Sequence, residues 1–411
     1  MSEPAFAEVA GTTYSSAPDT KKKIWIPLVL AIATALVFYF STKATQGHFD
    51  YTYRIAGALL HGHVGLPAAP SWLNEFVPAR GVYYSVFPLG AVLALLPVAV
   101  LHEIGWINAF PGHVVAAILA GACAYFFFQL TELENNSLAR RIVLALFPIF
   151  GAWTWCNLGF GGAWQIALGF ALLGETAALY FTLLRPRPWL AGLFFALAFG
   201  NRTELILTLP FFIYFWFFRD RAGVRAFDWK ILAKFLTIPA ALAIATAGYN
   251  FARFHSIFDF GYARIPQLSQ EPWYERGLFS LSAIPWNAQK MFLEGMQSIP
   301  QFPFFRPYGF GCSIWLSSPF LFLLFREGGA YRKICWLVIG VLTFALWCHG
   351  NPGGWQFSYR YGMILLPWMF LLLVSNGPRK ISAAELSLFV ASVAINAVAT
   401  YQFLWTNEIK P

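Results

Sequence analysis

Long apolar runs separated by short polar connections dominate this chain. In order they cover residues 24–40, 112–130, 142–157, 164–184, 189–201, 204–218, 231–250, 309–325, 334–348, 361–376 and 383–405. A helix needs roughly 20 such residues to cross the hydrocarbon core of a bilayer. The pattern predicts an all-α, polytopic integral membrane protein with about eleven transmembrane helices. Runs 189–201 and 204–218 are short and flank Asn201-Arg202-Thr203-Glu204, which predicts a helical hairpin ending below the outer surface.

A further run, 86–101, conflicts with the charges. Arg140-Arg141, Arg185/Arg187, Arg219/Arg221/Arg225, Arg326/Arg332/Lys333 and Arg379-Lys380 fall at every second connection, as expected when basic residues stay on the cytoplasmic side. A full crossing by 86–101 would move Arg140-Arg141 outside. The segment is therefore expected to dip in and return, or to lie on the surface as a helix. Lys21-Lys22-Lys23 ahead of the first run point to an uncleaved anchor with a cytoplasmic N-terminus. Residues 1–20 are small and polar and read as a disordered cytoplasmic segment, with 21–411 forming one transmembrane domain. The external polar segments are then 42–84, 158–163, 201–204, 251–308, 349–360 and the C-terminal tail. No internal repeat of the kind that builds many transporters is visible.

Composition agrees. Only 11% of residues are charged and 58% are hydrophobic, against about 25% charged in soluble domains. The net charge of +9 reports topology, since the basic residues sit between apolar runs, and nucleic acid is not an expected partner. Five cysteines, mostly in or beside apolar runs, read as small core residues. The cysteines lack metal-ligand spacing, and His48, His61 and His63 are not expected to form a metal cluster.

The chemistry is expected in the external segments. Asp50 stands just past the first span, and Tyr53, Ala56, Leu59 and Leu60 follow at helical spacing, so it heads a short amphipathic surface helix. It is either the N-cap of that helix or an acid that takes a proton from a substrate. The 251–308 segment is long for a structureless loop, so it is expected to fold and cover something. Arg202 and Arg360 are cations at the outer boundary, against the charge bias. Together they suit a lipid-linked phosphate, although Arg202 could instead pair with Glu204 or snorkel to headgroups. Further candidates for substrate binding are Tyr53, Arg54, Glu75, Tyr84, Tyr359 and Arg264. Glu175, deep in a span, reads as either functional or a neutral acid bonded to a neighbouring helix.

Several of these pieces carry a resemblance. Asp50 with Tyr53, Ala56, Leu59 and Gly62, then Tyr83-Tyr84-Ser85-Val86-Phe87-Pro88-Leu89-Gly90, Leu197-Ala198-Phe199-Gly200-Asn201-Arg202 and Gln356-Phe357-Ser358-Tyr359-Arg360-Tyr361 are similar in order and placement to GT-C class polytopic glycosyltransferases. The protein O-mannosyltransferase and aminoarabinose transferase relatives are the nearest in pattern. The resemblance implies inverting transfer of a sugar from a polyprenyl-phosphate donor to a hydroxyl of a glycan, lipid or protein. It places the site on the outer face of a bacterial inner or plasma membrane. It also implies Asp50 as general base, Arg202 and Arg360 at the phosphate, and no cofactor beyond the lipid-linked donor. The chain departs from the pattern where Tyr51 replaces a second acid and where Pro88-Leu89 replaces a Pro-Pro pair. The competing expectations are a transporter or flippase for lipid-linked saccharides, or a silent scaffold that binds polyprenyl phosphate.

Overall fold

A computed structural model describes residues 25–43, 49–217, 228–275 and 277–409. The expectations for residues 1–20, Lys21-Lys22-Lys23, His48 and Arg219/Arg221/Arg225 lie outside the described residues. The chain opens with α1 (Trp25–Ser41), α2 (Tyr51–Leu60) and a hairpin of β1 (Val77–Ala79) with β2 (Val82–Tyr84). Next come α3 (Leu89–Leu93), α4 (Leu96–Glu103), α5 (Gly112–Leu130), α6 (Leu138–Phe150), α7 (Thr154–Gly159), α8 (Ala163–Leu183) and α9 (Pro188–Asn201). After these follow α10 (Leu209–Phe217), α11 (Trp229–Phe254), α12 (Ile284–Phe292), β3 (Gln297–Ser298) and β4 (Phe305–Arg306). The chain closes with α13 (Ile314–Ser317), α14 (Arg332–Trp347), α15 (Leu366–Ser375) and α16 (Ala383–Trp405).

The molecule is mostly helical, as the apolar periodicity required. Four helices among the described residues are long and apolar enough to cross a membrane: Gly112–Leu133, Ala163–Leu183, Trp229–Phe254 and Ala383–Trp405. This corrects the expected eleven. Helices α1, α9 and α14 are shorter, and other runs are broken. Pro148 and the residues before Thr154 divide run 142–157 between α6 and α7. Tight 3-10 turns occupy Thr203–Thr208, Pro319–Phe325 and Arg360–Leu365. Hydropathy reports only that a run is apolar, not where its hydrogen bonds change register.

Segment 86–101 forms two helices of 5 and 8 residues, too short to cross. Both flanks lie at the same end of the bundle. The Ser85 carbonyl accepts from Arg253 near the C-terminus of α11, and Gly112 packs on the Gly161 carbonyl just before α8. The connection 251–308 is folded into four 3-10 turns, α12 and the β3–β4 pair.

Small residues let the helices approach. A Cβ on Gly174 of α8 would come within 2.6 Å of the Ala198 nitrogen in α9, and one on Gly192 of α9 within 2.1 Å of the Phe235 carbonyl in α11. Backbones at that separation gain van der Waals contact that larger side chains would prevent. At the far end, buried Arg140 and Arg326 both donate to Glu385 Oε1, at 3.2 and 2.7 Å. Glu385 also completes a capping box with Ser382 at the start of α16. Ser137 N–H donates to the Arg379 carbonyl at 2.8 Å, so three basic connections meet at one end. Within the bundle, Trp368 Nε1–H donates to Glu175 Oε1, which matches the helix-bonded alternative for that acid.

Gly192→Val is expected to destabilise the fold by about 1–3 kcal/mol through overpacking. Gly248→Val on α11, where a Cβ meets nothing within 4 Å, should leave the thermal midpoint almost unchanged. Unfolding of both variants in the same detergent checks the pair.

Candidate functional site

At the end where α9, α11 and α14 terminate, the chain encloses a cavity of about 590 Å³. Two local features put it there. Helix α9 stops at Asn201, and Arg202 turns to extended backbone before the Thr203–Thr208 turn. Gly90 of α3 and Gly200 of α9 meet backbone to backbone, a Cβ on Gly90 lying 2.5 Å from the Gly200 Cα. That contact brings Val86, Phe87 and Pro88 to the cavity wall. The 251–308 segment covers it with Phe258, Asp259, Tyr262 and Phe279.

Arg202 and Arg360 converge on one ring. Their guanidinium carbons lie 4.8 and 5.2 Å from the Tyr361 ring centroid, and Tyr361 lines the cavity. Arg202 Nε and Nη2 both donate to Glu204 Oε1, at 2.8 and 2.5 Å, so the Glu204 pairing is realised. Arg360 differs. It is only 8% exposed, its Nη1 donates to the Trp355 carbonyl at 3.4 Å, and its Nε has no partner. Among the described residues no carboxylate pairs with it. A buried guanidinium with unused donors is costly to maintain unless an anion completes it.

Glu75 lies behind the same wall. Its Oε2 accepts from Trp164 Nε1 at 2.7 Å, and Trp164 lines the cavity. Burial pushes the Glu75 carboxyl up to about 7, against the pull of the Trp164 bond and the Arg360 charge, with Glu271 adding to the rise.

Asp50 is not at the cavity lining. Its carboxylate is buried and pairs with Arg54 Nε, one helical turn on, at 2.7 Å. It stands at the N-cap position of α2, as the N-cap alternative has it, but makes no side-chain cap hydrogen bond. The Phe49 carbonyl accepts from Ala163 N–H at 2.8 Å, which ties this acid to the start of α8, next to Trp164. The Tyr51 hydroxyl donates to Asn74 Oδ1 at 3.3 Å and accepts from Glu75 N–H at 3.4 Å.

The other expected substrate contacts are placed in the packing. Tyr53 stacks between His102 and Phe110, its hydroxyl buried without a partner. Tyr84 sits edge-on to Phe254, with 5.8 Å between centroids. Tyr359 donates to Asn287 Oδ1 at 3.0 Å and so joins α12 to the loop before Arg360. Arg264 is exposed and pairs with Asp259 at 2.8 Å, touching the cavity only through that acid.

Of the cavity lining, only Arg202 stood out as a candidate in the sequence; His349, Asn201 and Tyr361 are among the polar residues that did not. The polar Gly-Asn-Pro-Gly-Gly stretch after His349, closing an apolar run, was the signal available for the first. Arg253 was also missed as a pin. It is buried, bonds Ser85 O and Asn250 Oδ1, and faces the Tyr249 ring at 3.8 Å.

A second, almost wholly apolar groove of about 620 Å³ runs along the outer face of α14, between Trp336, Leu337, Gly340 and Phe344. It shares Leu207, Phe279 and Ala345 with the cavity, so chamber and groove lie side by side on a common wall.

No family model, curated protein or solved structure matches this chain.

Because folding raises the Glu75 pKa, the native state holds that proton more tightly than the unfolded chain. Its contribution to stability is greatest below about 4.5 and is lost as pH rises through about 7. Glu75→Gln should flatten the fall in thermal midpoint between those values and leave the variant more stable than the parent at pH 8. An unchanged pH profile would contradict this.

Proposed function

We propose that this protein is a membrane glycosyltransferase that moves a sugar from a polyprenyl-phosphate donor to an acceptor hydroxyl, with inversion. The observation that carries this is the junction of the two spaces. An apolar groove on the lipid-facing side of α14 adjoins, across Leu207, Phe279 and Ala345, a chamber bordered by Arg202, with Arg360 behind the shared Tyr361 ring. A ligand that fits both has a long apolar chain and an anionic head. Free nucleotide sugars have no use for the groove, and a simple lipid has no use for a chamber of 590 Å³.

In this account the shorter apolar helices pack with the four long ones in a multi-pass bundle, with the 86–101 segment re-entering. The basic end carrying Arg140, Arg326 and Arg379 faces the cytoplasm, and the cavity opens on the outer side of a bacterial inner or plasma membrane. Asp50 is the general base of this reading although it does not itself line the chamber; it stands beside the start of α8, whose Trp164 does, and is held by Arg54. It takes the proton of the acceptor hydroxyl as that oxygen bonds to the anomeric carbon. The bond from that carbon to the phosphate oxygen breaks, and its electron pair stays on the phosphate. Arg360, which lacks an acidic partner among the described residues, and Arg202 stabilise the charge left there. The resemblance to GT-C enzymes points to the same reaction. The lipid-linked sugar is its own activated donor, so the step calls for no further cofactor.

Two measurements on the full chain in lipid nanodiscs test this. Arg360→Ala should weaken binding of polyprenyl phosphate by about ten- to a hundredfold, the size of a lost charged hydrogen-bond pair. Unchanged affinity would remove Arg360 from the phosphate site. Asp50→Asn should abolish transfer of labelled sugar while lipid binding persists. Undiminished transfer would remove Asp50 as base, and no transfer by the parent protein with any polyprenyl-phosphate sugar would leave a binding scaffold.

A further inference from the structure

The chamber also bears on which sugar it would hold. His349 lines it, at the junction of α14 and the 349–360 loop. Its Nδ1 lies 2.7 Å from the Asn351 carbonyl oxygen. A carbonyl only accepts, so Nδ1 carries the proton and Nε2 of the neutral ring offers a lone pair. No residue described in the structure bonds Nε2. The ring is held by Phe279, Tyr361, Tyr274 and Tyr262, with centroids 5.4 to 6.3 Å away.

Asn201 repeats the pattern. It also lines the chamber and is 4% exposed. Its Nδ2 donates to the Leu197 carbonyl at 2.9 Å, which leaves Oδ1 as a buried acceptor without a partner. The carboxylates at the chamber are already engaged. Glu204 holds Arg202, and Asp259 accepts from Arg264 at 2.8 Å and from Gly261 N–H at 2.7 Å. Each of these carboxylates has its charge offset by an arginine, although Glu204 gives only Oε1 to Arg202, and the acceptors with no cation bonded to their group are neutral.

We infer that the chamber is a subsite for an uncharged sugar, two of whose hydroxyls donate to His349 Nε2 and Asn201 Oδ1. This rests on the lipid-linked sugar reading above and deepens it by naming the sugar class. A cationic amino sugar would want a free carboxylate and would sit beside Arg202. Hydroxyls match neutral acceptors, and the aromatic walls of Trp164, Tyr262 and Tyr361 suit the apolar faces of a sugar ring.

Burial lowers the pKa of His349, and the charges of Arg202 and Arg360 act the same way. The Asn351 bond and Glu204 oppose them. Tyr262, Tyr274 and Tyr361 are the other titratable groups packed against the ring. The acceptor is thus present above the depressed pKa and lost as pH falls through it, which adds a third positive charge beside the two arginines.

Affinities of the full chain in nanodiscs should be measured for polyprenyl phosphate, its neutral hexose ester and its amino-sugar ester. The parent should bind the neutral hexose ester more tightly than the bare lipid and the amino-sugar ester. His349→Phe should weaken the hexose ester about tenfold and leave the bare lipid unchanged. His349→Gln, which keeps an acceptor, should retain most of the affinity. The hexose advantage over the bare lipid should also fade as pH falls through the depressed His349 pKa, because the acceptor is lost and the added positive charge favours the bare phosphate. Equal weakening of both lipids in His349→Phe, or a preference for the amino sugar, overturns this inference and leaves the lipid-phosphate reading standing. Failure of the parent to bind any of the three overturns both.

Discussion

Two guanidinium groups drawn to one aromatic ring, at the end of a bundle with few charges, organise the rest of this molecule. Arg202 and Arg360 are 158 positions apart by their numbering (360 − 202), and each is expensive to place at the edge of an apolar interior. The fold manages the two differently. Arg202 has its own acid, Glu204, two residues away. Arg360 is left with carbonyl oxygen, a ring face and unused donors. That asymmetry leaves the group of Arg202, Glu204 and Arg360 one unit positive beside the chamber, with Tyr361 rather than Arg360 in the lining.

Holding the arginines in register requires rigid neighbours. The glycines at 174 and 192 lock α8, α9 and α11 together at backbone contact, so the end of α9 and hence Arg202 cannot drift. Asn157 does the same for the other side, donating from Nδ2 to the Phe357 carbonyl at 2.7 Å and accepting from Phe357 N–H at 3.1 Å. Tyr359 then ties that loop to α12. The far end is closed by the Arg140–Glu385–Arg326 group, whose single carboxylate joins α6, α16 and the segment before α14. Arg140 and Glu385 are buried and Arg326 is partly exposed, so breaking the Arg140 contact would strand a buried charge, at the end opposite the chamber.

Much of the candidate site was legible because charge in an apolar sequence is conspicuous. Arg202 and Arg360 stood out against the topology, and the Glu204 alternative for Arg202 was visible from its spacing. Proximity in space was not legible. Asp50 heads α2 as expected, but its carboxylate turns back to Arg54, a choice between local partners that spacing permits without deciding. Tyr53, Tyr84 and Tyr359 sit in suggestive stretches yet spend their rings and hydroxyls on packing. His349 and Asn201 are ordinary residues in sequence, and only the bond each makes with one side of its polar group reveals the acceptor left on the other. The count of spans failed for a similar reason. Proline and 3-10 turns break runs that hydropathy treats as continuous, whereas α5, α8 and α16 were found to within a residue at each end and α11 extends past its expected bounds on both sides.

The most direct measurement is a cryo-electron microscopy structure of the full chain in nanodiscs loaded with polyprenyl phosphate. The account predicts phosphate density between Arg202, Arg360 and Tyr361, with the prenyl chain laid along Trp336, Leu337 and Phe344 of α14. Phosphate bound at the Arg140–Glu385 end, or a lipid chain ordered anywhere other than the α14 groove, would contradict it.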